Sequence, residues 1–292
     1  MAVTAQLVKE LREKTGAGML DCKKALEATD GNIENAITWL REKGIAKAAK
    51  KESRVAAEGL CNVAIDGNKA VIYEVNSETD FVSKNAQFLE VIDTIGKALL
   101  ANDSDDYLNI TYNGETISNI LVSATATIGE KISLRRVTRV TKADNENFGA
   151  YKHAGGRIAV LTLVDGGTEA TAKDVAMHVA AINPKYLSEA CIPADELEKE
   201  KAIQIAEMKN DPKMANKPEK VLENIVNGKL AKYKKEICLL DQPFVKNPDL
   251  TVDQFAKSEK ATIKNYIRLE VGEGIEKVET DFVAEVMAQV KA

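Results

Sequence analysis

The sequence is poor in aromatic residues, histidine and cysteine, and each scarcity argues against a class of function. Aromatic residues make up 5% of the 292 positions, with Trp39 as the one tryptophan, so we expect aliphatic, helix-rich cores rather than an aromatic-lined ligand cleft. Two histidines and four cysteines are present, without a CxxC pair, which disfavours a zinc site. We therefore predict free and mostly buried thiols.

The chain also lacks an excess of positive charge and a long apolar run. Its net charge is −5, from 40 basic and 45 acidic residues, whereas a dedicated nucleic-acid binder neutralises phosphates with lysine and arginine. We find no basic segment followed by an apolar one at the start, and no apolar stretch of membrane-spanning length. We expect a cytoplasmic protein that binds neither nucleic acid nor membrane.

Sequence motifs of enzyme chemistry are missing as well. There is no GxxxxGK[ST], no GxSxG and no HExxH. Gly272 and Gly274 do not complete a GxGxxG motif and stand beside acidic residues, so we interpret them as a turn after a strand. His178 lies within an apolar helix stripe and is predicted to be a core residue. The sequence thus predicts no catalytic residue, no cofactor and no metal ion.

Residues 1–54 are predicted to form three short helices and a basic linker. Breaks at 15–18 and 30–31 separate three runs of apolar residues at helical spacing. Asn32 suits the N-cap of the third helix, and Gly44 suits its C-cap. The bundle resembles the ubiquitin-associated type. The apolar positions are Val3, Leu7 and Leu11, then Met19, Cys22, Ala25 and Leu26, then Ile33, Ala36, Ile37 and Leu40.

The next part of the chain shows strand, turn, strand and helix twice over. The first hairpin turns at Asp66-Gly67-Asn68, and the second turns around Ala154–Arg157. This repeat predicts an internally duplicated α+β core. Residues 55–140 would form one subdomain, and residues 141–183 with 236–263 would form the other.

Residues 184–235 read differently. Two highly charged helical stretches with narrow apolar seams flank a turn near Asn210-Asp211-Pro212, which predicts an inserted antiparallel helical hairpin. A strand over Tyr266–Val271 and a helix holding Phe282, Val286 and Val290 follow. Residues 264–292 would form a C-terminal helical module.

The tripeptide Thr79-Asp80-Phe81 stands where a strand becomes a helix. Its local pattern favours a structural role, in which Thr79 or Asp80 caps the helix and Phe81 packs onto the first turn. The alternative is presentation of the ring to a partner. The tripeptide and the valine after it occur a second time at 280–283, so the motif alone is not diagnostic of either role. His153 lies at the second hairpin, where a side chain can be presented, although spacing alone does not favour a functional role.

Four stretches of the sequence, taken in their order along the chain, favour one of these interpretations. They are residues 7–26 (LVKELREKTGAGMLDCKKAL), 74–82 (EVNSETDFV), 241–244 (DQPF) and 268–274 (RLEVGEG). Together they resemble the elongation factor Ts family over nearly the whole chain. The resemblance implies an N-terminal helical domain, a core of two subdomains, a dimerisation hairpin and a C-terminal module, in agreement with the segmentation above.

The resemblance also implies a function. It implies a guanine-nucleotide exchange factor that binds elongation factor Tu with GDP and disturbs its magnesium and phosphate site, so that GTP can reload, without bond chemistry. Asp80 and Phe81, within Thr79–Val82, would be the intruding residues, and His153 would enter a second pocket. The hairpin favours a homodimer. Docking of the N-terminal domain would involve Lys9, Leu11, Arg12, Met19 and Leu20.

Two other function classes are weaker. A non-catalytic interaction scaffold of the ubiquitin-associated type is the alternative, but it leaves residues 55–292 unexplained. An enzyme is disfavoured by the shortage of histidine, aromatic residues and motifs.

Overall fold

The computed structural model describes residues 3–210 and 218–276. They divide into two compact units. The first unit takes in the described parts of 1–140, 154–158 and 269–292, and the second takes in those of 141–153 and 159–268. Both contain helices and small sheets, so the α+β class is confirmed. No described helix combines the length and apolarity needed to cross a bilayer.

The first unit begins with the three predicted helices, α1 (Ala5–Thr15), α2 (Met19–Ala28) and α3 (Ile33–Ala49). The predicted N-cap of α3 is confirmed, because the Asn32 side chain accepts a hydrogen bond from the Asn35 amide at 2.9 Å. The small bundle encloses an aliphatic core, which stabilises the helices against one another. Its buried residues are Val8, Leu11, Cys22, Ala25, Leu26 and Ala36.

A three-stranded sheet and two helices complete this unit. Strands β1 (Glu58–Asp66) and β2 (Lys69–Ser77) form an antiparallel hairpin that turns at Gly67 and Asn68, as predicted. Helix α4 (Ala86–Ala101), a minimal hairpin of β3 (Thr111–Tyr112) and β4 (Glu115–Thr116), and helix α5 (Ile117–Ile128) follow. Strand β5 (Ser133–Thr141) then pairs with β2, giving the order β1-β2-β5.

The predicted end of the third helix at Gly44 is wrong. Helix α3 continues to Ala49, so the first residues of the predicted linker are helical. Gly44 is buried, and a Cβ placed on it would lie 3.1 Å from the Ala126 side chain of α5. The glycine therefore serves the close approach of two helices rather than a C-cap, a distinction that depends on a partner 82 residues away and is invisible to local propensity.

The second unit repeats the strand plan. It contains β6 (Glu146–His153), β7 (Ile158–Gly166) and helix α6 (Glu169–Ile182), then α7 (Ala194–Asn210) and α8 (Glu219–Ile237). Strands β8 (Pro243–Phe244) and β9 (Asn247–Thr251), helix α9 (Val252–Ser258) and strand β10 (Ala261–Glu270) follow, and the sheet order is β10-β7-β6. In both units two strands form a hairpin, and a third strand from later in the chain pairs with the second strand of that hairpin. The common ancestry implied by a duplication stays a prediction.

Helices α7 and α8 form the predicted antiparallel pair. Tyr233 donates a hydrogen bond to Glu196 at 2.9 Å, and Lys229 pairs with Glu207 at 3.2 Å, so later residues of α8 meet earlier residues of α7. At the base, hydrogen bonds from Lys185, Tyr186 and Tyr233 lower the pKa of Glu196 to about 2. The connecting turn over 211–217, which includes part of the predicted Asn210-Asp211-Pro212 turn, lies outside the described residues.

The strand predicted at the start of the C-terminal helical module is present in the structure. Tyr266–Glu270 belongs to β10, and residues 271–274 form a turn, as predicted for the two glycines. The predicted helix holding Phe282, Val286 and Val290, together with the repeated tetrapeptide at 280–283, lies outside the described residues.

Candidate functional site: an exposed phenylalanine on an anchored turn

The turn between β2 and α4 presents Phe81 to solvent. Its side chain is 85% exposed, the highest value among the described large apolar residues. A single 3-10 turn (Val82–Lys84) follows, and the side chain of Asn85 caps α4 by accepting a hydrogen bond from the Gln87 amide at 2.8 Å. The local pattern favoured a capping role for Thr79 or Asp80 and a packing role for Phe81. Both predictions are wrong, because Asn85 caps α4 and the ring of Phe81 is exposed instead of packed in the core.

Thr79 and Val82 hold the two ends of this turn. The Thr79 hydroxyl and amide donate hydrogen bonds to the two carboxylate oxygens of Glu130, at 2.6 Å and 2.9 Å. Val82 is 6% exposed and packs in the main core of the first unit. Among the predicted site residues, these two position the turn, and the residues between them are the ones that face outward.

The backbone of Asp80 is hydrogen-bonded within the turn, whereas its side chain faces solvent. Its carbonyl accepts hydrogen bonds from the Ser83 amide at 3.2 Å and from the Ser83 hydroxyl at 2.6 Å. No described residue donates a hydrogen bond to its carboxylate, and the side chain is exposed. An uncompensated negative charge thus stands beside the exposed ring.

The predicted N-terminal contact residues divide into exposed and buried sets. Met19 and Leu20, at the start of α2, are 61% and 74% exposed, so Met19 does not belong to the core stripe predicted for it. Lys9 and Arg12 are exposed on α1. Leu11 is completely buried in the helical core and has no surface for a partner to touch. Its contribution is to hold α1 and α2 together.

The N-terminal helices adjoin the helix that follows the Phe81 turn. Gly16 ends α1 in the left-handed conformation, with φ 67°, and its amide donates to the Arg12 carbonyl at 2.8 Å. A Cβ at Gly16 would lie 3.0 Å from the amide nitrogen of the Gln87 side chain in the first turn of α4. The α1–α2 turn therefore lies against the beginning of α4, in the same unit as Phe81.

His153 ends β6 in the second unit and is exposed. The Tyr151 hydroxyl lies 3.5 Å from its Nδ1 atom, and the two rings are 6.2 Å apart. The next residues, Ala154 and Gly155, both adopt positive φ and reverse the chain. The imidazole is accordingly presented at the end of a hairpin, as the sequence indicated.

His178 is a satisfied core histidine, as predicted. It has no exposed surface, its Nε2 lies 2.9 Å from the Gln242 side-chain oxygen, and its Nδ1 accepts a hydrogen bond from the Val245 amide at 3.3 Å. Burial lowers its pKa, and the hydrogen bond to Gln242 offsets this only in part. The neutral imidazole therefore serves packing inside the second unit.

A buried carboxylate in the middle of β2 was not predicted from the sequence. Glu74 is fully buried, and it pairs with Arg135 at 3.1 Å and with Arg136 at 2.6 Å. Successive strand residues normally face opposite sides, but Arg136 has φ 49°, which breaks the alternation and lets both guanidinium groups reach one carboxylate. The only sequence signal is an acidic residue within the mostly apolar run over residues 70–75.

The Glu74 cluster also fixes the turn after β10. The Gly272 amide donates to Glu74 at 2.8 Å, and Arg136 pairs with Glu273 at 2.8 Å. Burial raises the pKa of Glu74, but hydrogen bonds from Arg136 and Gly272 outweigh it and hold the pKa below its usual value. The carboxylate is therefore a charged, multiply bonded anchor within the first unit.

The four cysteines are unpaired and differ in burial. All four cysteines are free, and Cys22, Cys61 and Cys238 are buried while Cys191 is exposed, which confirms the prediction of mostly buried thiols. Burial raises the pKa of Cys61 to about 12, so its nucleophilic thiolate is scarce at neutral pH. In the part of the chain that the structure describes, histidine, cysteine and carboxylates form no cluster suited to a metal ion.

Comparisons with known proteins agree with the sequence resemblance. The family model described as Elongation factor TS matches residues 78–273, which include the Phe81 turn and the turn after β10. Elongation factor Ts of Acholeplasma laidlawii (strain PG-8A) is 54% identical over 99% of both chains, and that of Spiroplasma citri is equally similar over the same share. The chain therefore belongs to the elongation factor Ts family of translation elongation factors.

Proposed function

We propose that this protein is a guanine-nucleotide exchange factor that binds elongation factor Tu with GDP and accelerates release of the nucleotide. The observation that carries the proposal is the combination of an 85% exposed phenyl ring with a backbone anchored on both sides. An exposed ring contributes little to the fold, but it can transfer to an apolar pocket of a partner when the complex forms. A ring held on a stiff turn suits insertion between elements of another protein.

Exchange requires that the factor bind one partner state better than the other. A ligand shifts an equilibrium only by its differential affinity for two states, and the coupling between factor and GDP is reciprocal. A weakening of GDP binding by roughly 100-fold corresponds to about 2.7 kcal/mol of coupling. Insertion of Phe81, which needs a partner state with an opened pocket, supplies such a difference.

The magnesium ion of the partner explains why a small displacement suffices. Mg²⁺ demands near-octahedral coordination at about 2.0–2.1 Å, so a shift of the elements that carry its ligands weakens both ion and nucleotide. Phe81 would wedge between helices of the GTPase domain, and the carboxylate of Asp80 would enter with it. His153 would contact a second pocket near the phosphates. The factor itself makes and breaks no covalent bond.

The N-terminal helices would dock on the same GTPase domain. Met19 and Leu20 offer exposed apolar side chains, and methionine adapts to irregular surfaces. Lys9 and Arg12, which are exposed on α1, add positive charge to the same helical domain. Docking at this patch would bring the adjoining Phe81 turn to its pocket, and all of it would take place in the cytoplasm, without nucleic acid or membrane.

The α7–α8 hairpin would join two copies of the chain. Exposed Ile203 on α7 and Val221 on α8 are available for such a contact. Light scattering of the full chain, compared with a variant in which residues 184–235 are replaced by a short linker, tests the homodimer. A full-length chain that is monomeric at micromolar concentration contradicts it.

Stopped-flow release of a fluorescent GDP analogue from elongation factor Tu tests the exchange function. We expect strong acceleration by the wild-type protein and a fall of about 100-fold with Phe81→Ala. Leu108→Ala is the matched control, because Leu108 is an exposed apolar residue of the same unit outside the predicted contacts. No acceleration at saturating wild-type protein contradicts the function, and unchanged acceleration by Phe81→Ala contradicts the role of the ring.

A further inference from the structure

Two carboxylates clamp the Phe81 turn to the segment between α5 and β5. Glu130 accepts both hydrogen bonds from Thr79, at 2.6 Å and 2.9 Å. In the opposite direction, Glu78 accepts the Lys131 amide at 2.7 Å. Adjacent residues of each segment thus bind adjacent residues of the other, which restricts both translation and rotation of the turn.

The segment that carries Glu130 is itself rigidly built. Gly129 closes α5 in the left-handed conformation, and its amide donates to the Thr125 carbonyl at 3.1 Å. The Thr125 hydroxyl, which is buried, accepts the Ile132 amide at 3.1 Å, and Ile132 packs in the main core of the unit. Residues 129–132 are therefore held in place by hydrogen bonds and packing. The hydrogen bonds that Glu130 accepts fix the Phe81 turn relative to this segment.

The connection between α3 and β1 joins the same segment. Arg54 pairs with Glu78 at 3.1 Å, the Lys51 ammonium donates to the Gly129 carbonyl, and the Lys131 ammonium donates to the Glu52 carbonyl. The N-terminal helices and the Phe81 turn are consequently tied to one set of residues.

Phe81 depends on this clamp more than an ordinary side chain would. Its ring is exposed, so packing does not fix its direction, and the backbone from Thr79 to Val82 must do so. Val82 anchors the far end in the core, and the Glu78–Lys131 hydrogen bond and a hydrogen bond from the Ser77 hydroxyl to the Thr79 carbonyl, at 2.9 Å, hold the start of the near end. The two hydrogen bonds to Glu130 are the ones that the Thr79 hydroxyl and amide donate, directly before Asp80 and Phe81. Without Glu130, a partner that binds the ordered turn must first select it from an ensemble, which weakens apparent affinity by the ordered fraction.

We propose that Glu130 is a positioning residue for nucleotide exchange, which preorganises the Phe81 turn for insertion into the partner. The proposal rests on the exchange function above and adds a residue that touches no nucleotide. Its two carboxylate oxygens match the two donors of Thr79. Glutamine at this position keeps both links, because its carbonyl oxygen accepts the amide hydrogen bond and its NH2 group donates to the hydroxyl oxygen. Alanine keeps neither.

The experiment measures nucleotide release from elongation factor Tu as a function of the concentration of this protein. For Glu130→Ala we expect the half-saturating concentration to rise by roughly tenfold while the release rate at saturation stays within about twofold. Glu130→Gln should restore most of the affinity. Glu115→Ala is the matched control, since Glu115 is an exposed carboxylate of the same unit that accepts no hydrogen bond from a described residue.

A double-mutant cycle separates positioning from a general loss of structure. In the Phe81→Ala background, Glu130→Ala should change the half-saturating concentration by less than about twofold, because the clamp then has no ring to position. Amide hydrogen exchange of residues 79–83 in the free protein should accelerate by about tenfold in Glu130→Ala and not in Glu115→Ala.

The outcomes are distinguishable. A wild-type chain that does not accelerate release overturns the exchange function and this inference together. With an active wild type, an unchanged half-saturating concentration for Glu130→Ala overturns the inference alone. Equal losses in Glu130→Gln and Glu130→Ala would mean that the charge itself contacts the partner, and equal losses with and without Phe81 would mean that Glu130 acts elsewhere. Either result overturns the positioning role.

Discussion

The two units share a strand order but differ in the connections that they expose. In the first unit the hairpin turn is tight, at Gly67 and Asn68, and the connection from strand to helix is long, over 78–85, and carries Phe81. In the second unit, the connection from strand to helix is only residues 167–168, and His153 is the last residue of β6, just before the chain reverses. The sheet supplies a scaffold in both units, and the exposed candidate side chain stands beside a different connection in each.

The strongest contrast lies within the first unit, between Phe81 and Phe88. Phe88 is fully buried, so Phe88→Ala should lower the free energy of unfolding by about 3–5 kcal/mol. Phe81→Ala should change it by less than about 0.5 kcal/mol while lowering the rate of nucleotide release by about 100-fold. Urea denaturation and stopped-flow release measure the two quantities. A large loss of stability in Phe81→Ala would contradict the placement of its ring.

The middle strands of the two sheets offer the next comparison. Each contains a buried polar residue, which is Glu74 in β2 and Thr162 in β7. The Thr162 hydroxyl donates a hydrogen bond to the Ala172 carbonyl at 2.8 Å. Glu74→Ala removes the buried carboxylate that Arg135 and Arg136 share and should cost about 3 kcal/mol of unfolding free energy. Thr162→Val should cost about 1 kcal/mol. Equal losses measured by urea denaturation would show that the charge cluster adds nothing beyond an ordinary hydrogen bond.

His153 tests whether the second unit takes part in exchange. We expect His153→Ala to slow nucleotide release by about tenfold, less than Phe81→Ala, because a hydrogen-bonding side chain at one contact contributes about 1.4 kcal/mol. The control is Asp144→Ala, an exposed residue just before β6. Release rates equal to wild type in His153→Ala would confine the exchange contacts to the first unit.

The smallest effect concerns pH, and it too belongs to the second unit, which holds both histidines. Burial lowers the pKa of His178 in the folded chain below the ordinary 6.5. The unfolded chain then takes up a proton first, so the stability that neutral His178 contributes is complete above pH 6.5 and is lost as pH falls from there through the folded pKa. Thermal melts between pH 7.5 and 5, taken as bracketing values around the ordinary histidine pKa, should show this slope in wild type and a reduced one in His178→Gln. An identical slope in both would contradict it.

Local patterns predicted most of the elements and some of the site. The three N-terminal helices, the Asn32 cap, both hairpins and the two charged helices follow from helical spacing, capping residues and turn residues that act within a few positions. His178 was recognised as a core residue from its apolar neighbours. The exposed state of Phe81 is not predicted by its local pattern, which favours capping and packing on the first helical turn, and only the resemblance to a family favours presentation of the ring.

What the pattern missed depends on residues far apart in the sequence. The local sequence favours a helix end at Gly44, but the structure places Ala126 of another helix against it. The apolar stripes place both Leu11 and Met19 at core positions, but the packing of three helices buries the first and exposes the second. Burial is decided by which faces meet, and a single helix contains no information about its neighbour.

The sequence by itself determined the class of fold, the positions of most helices and hairpins, the free thiols and the family, since these depend on local periodicity or on ordered matches along the chain. Only the tertiary structure decided that Glu74 meets Arg135 and Arg136, and that Glu130 holds Thr79. These pairs lie more than 50 positions apart. Their carboxylates acquire partners only when burial of the common core brings β2 and the turn after it together with β5 and the segment between α5 and β5.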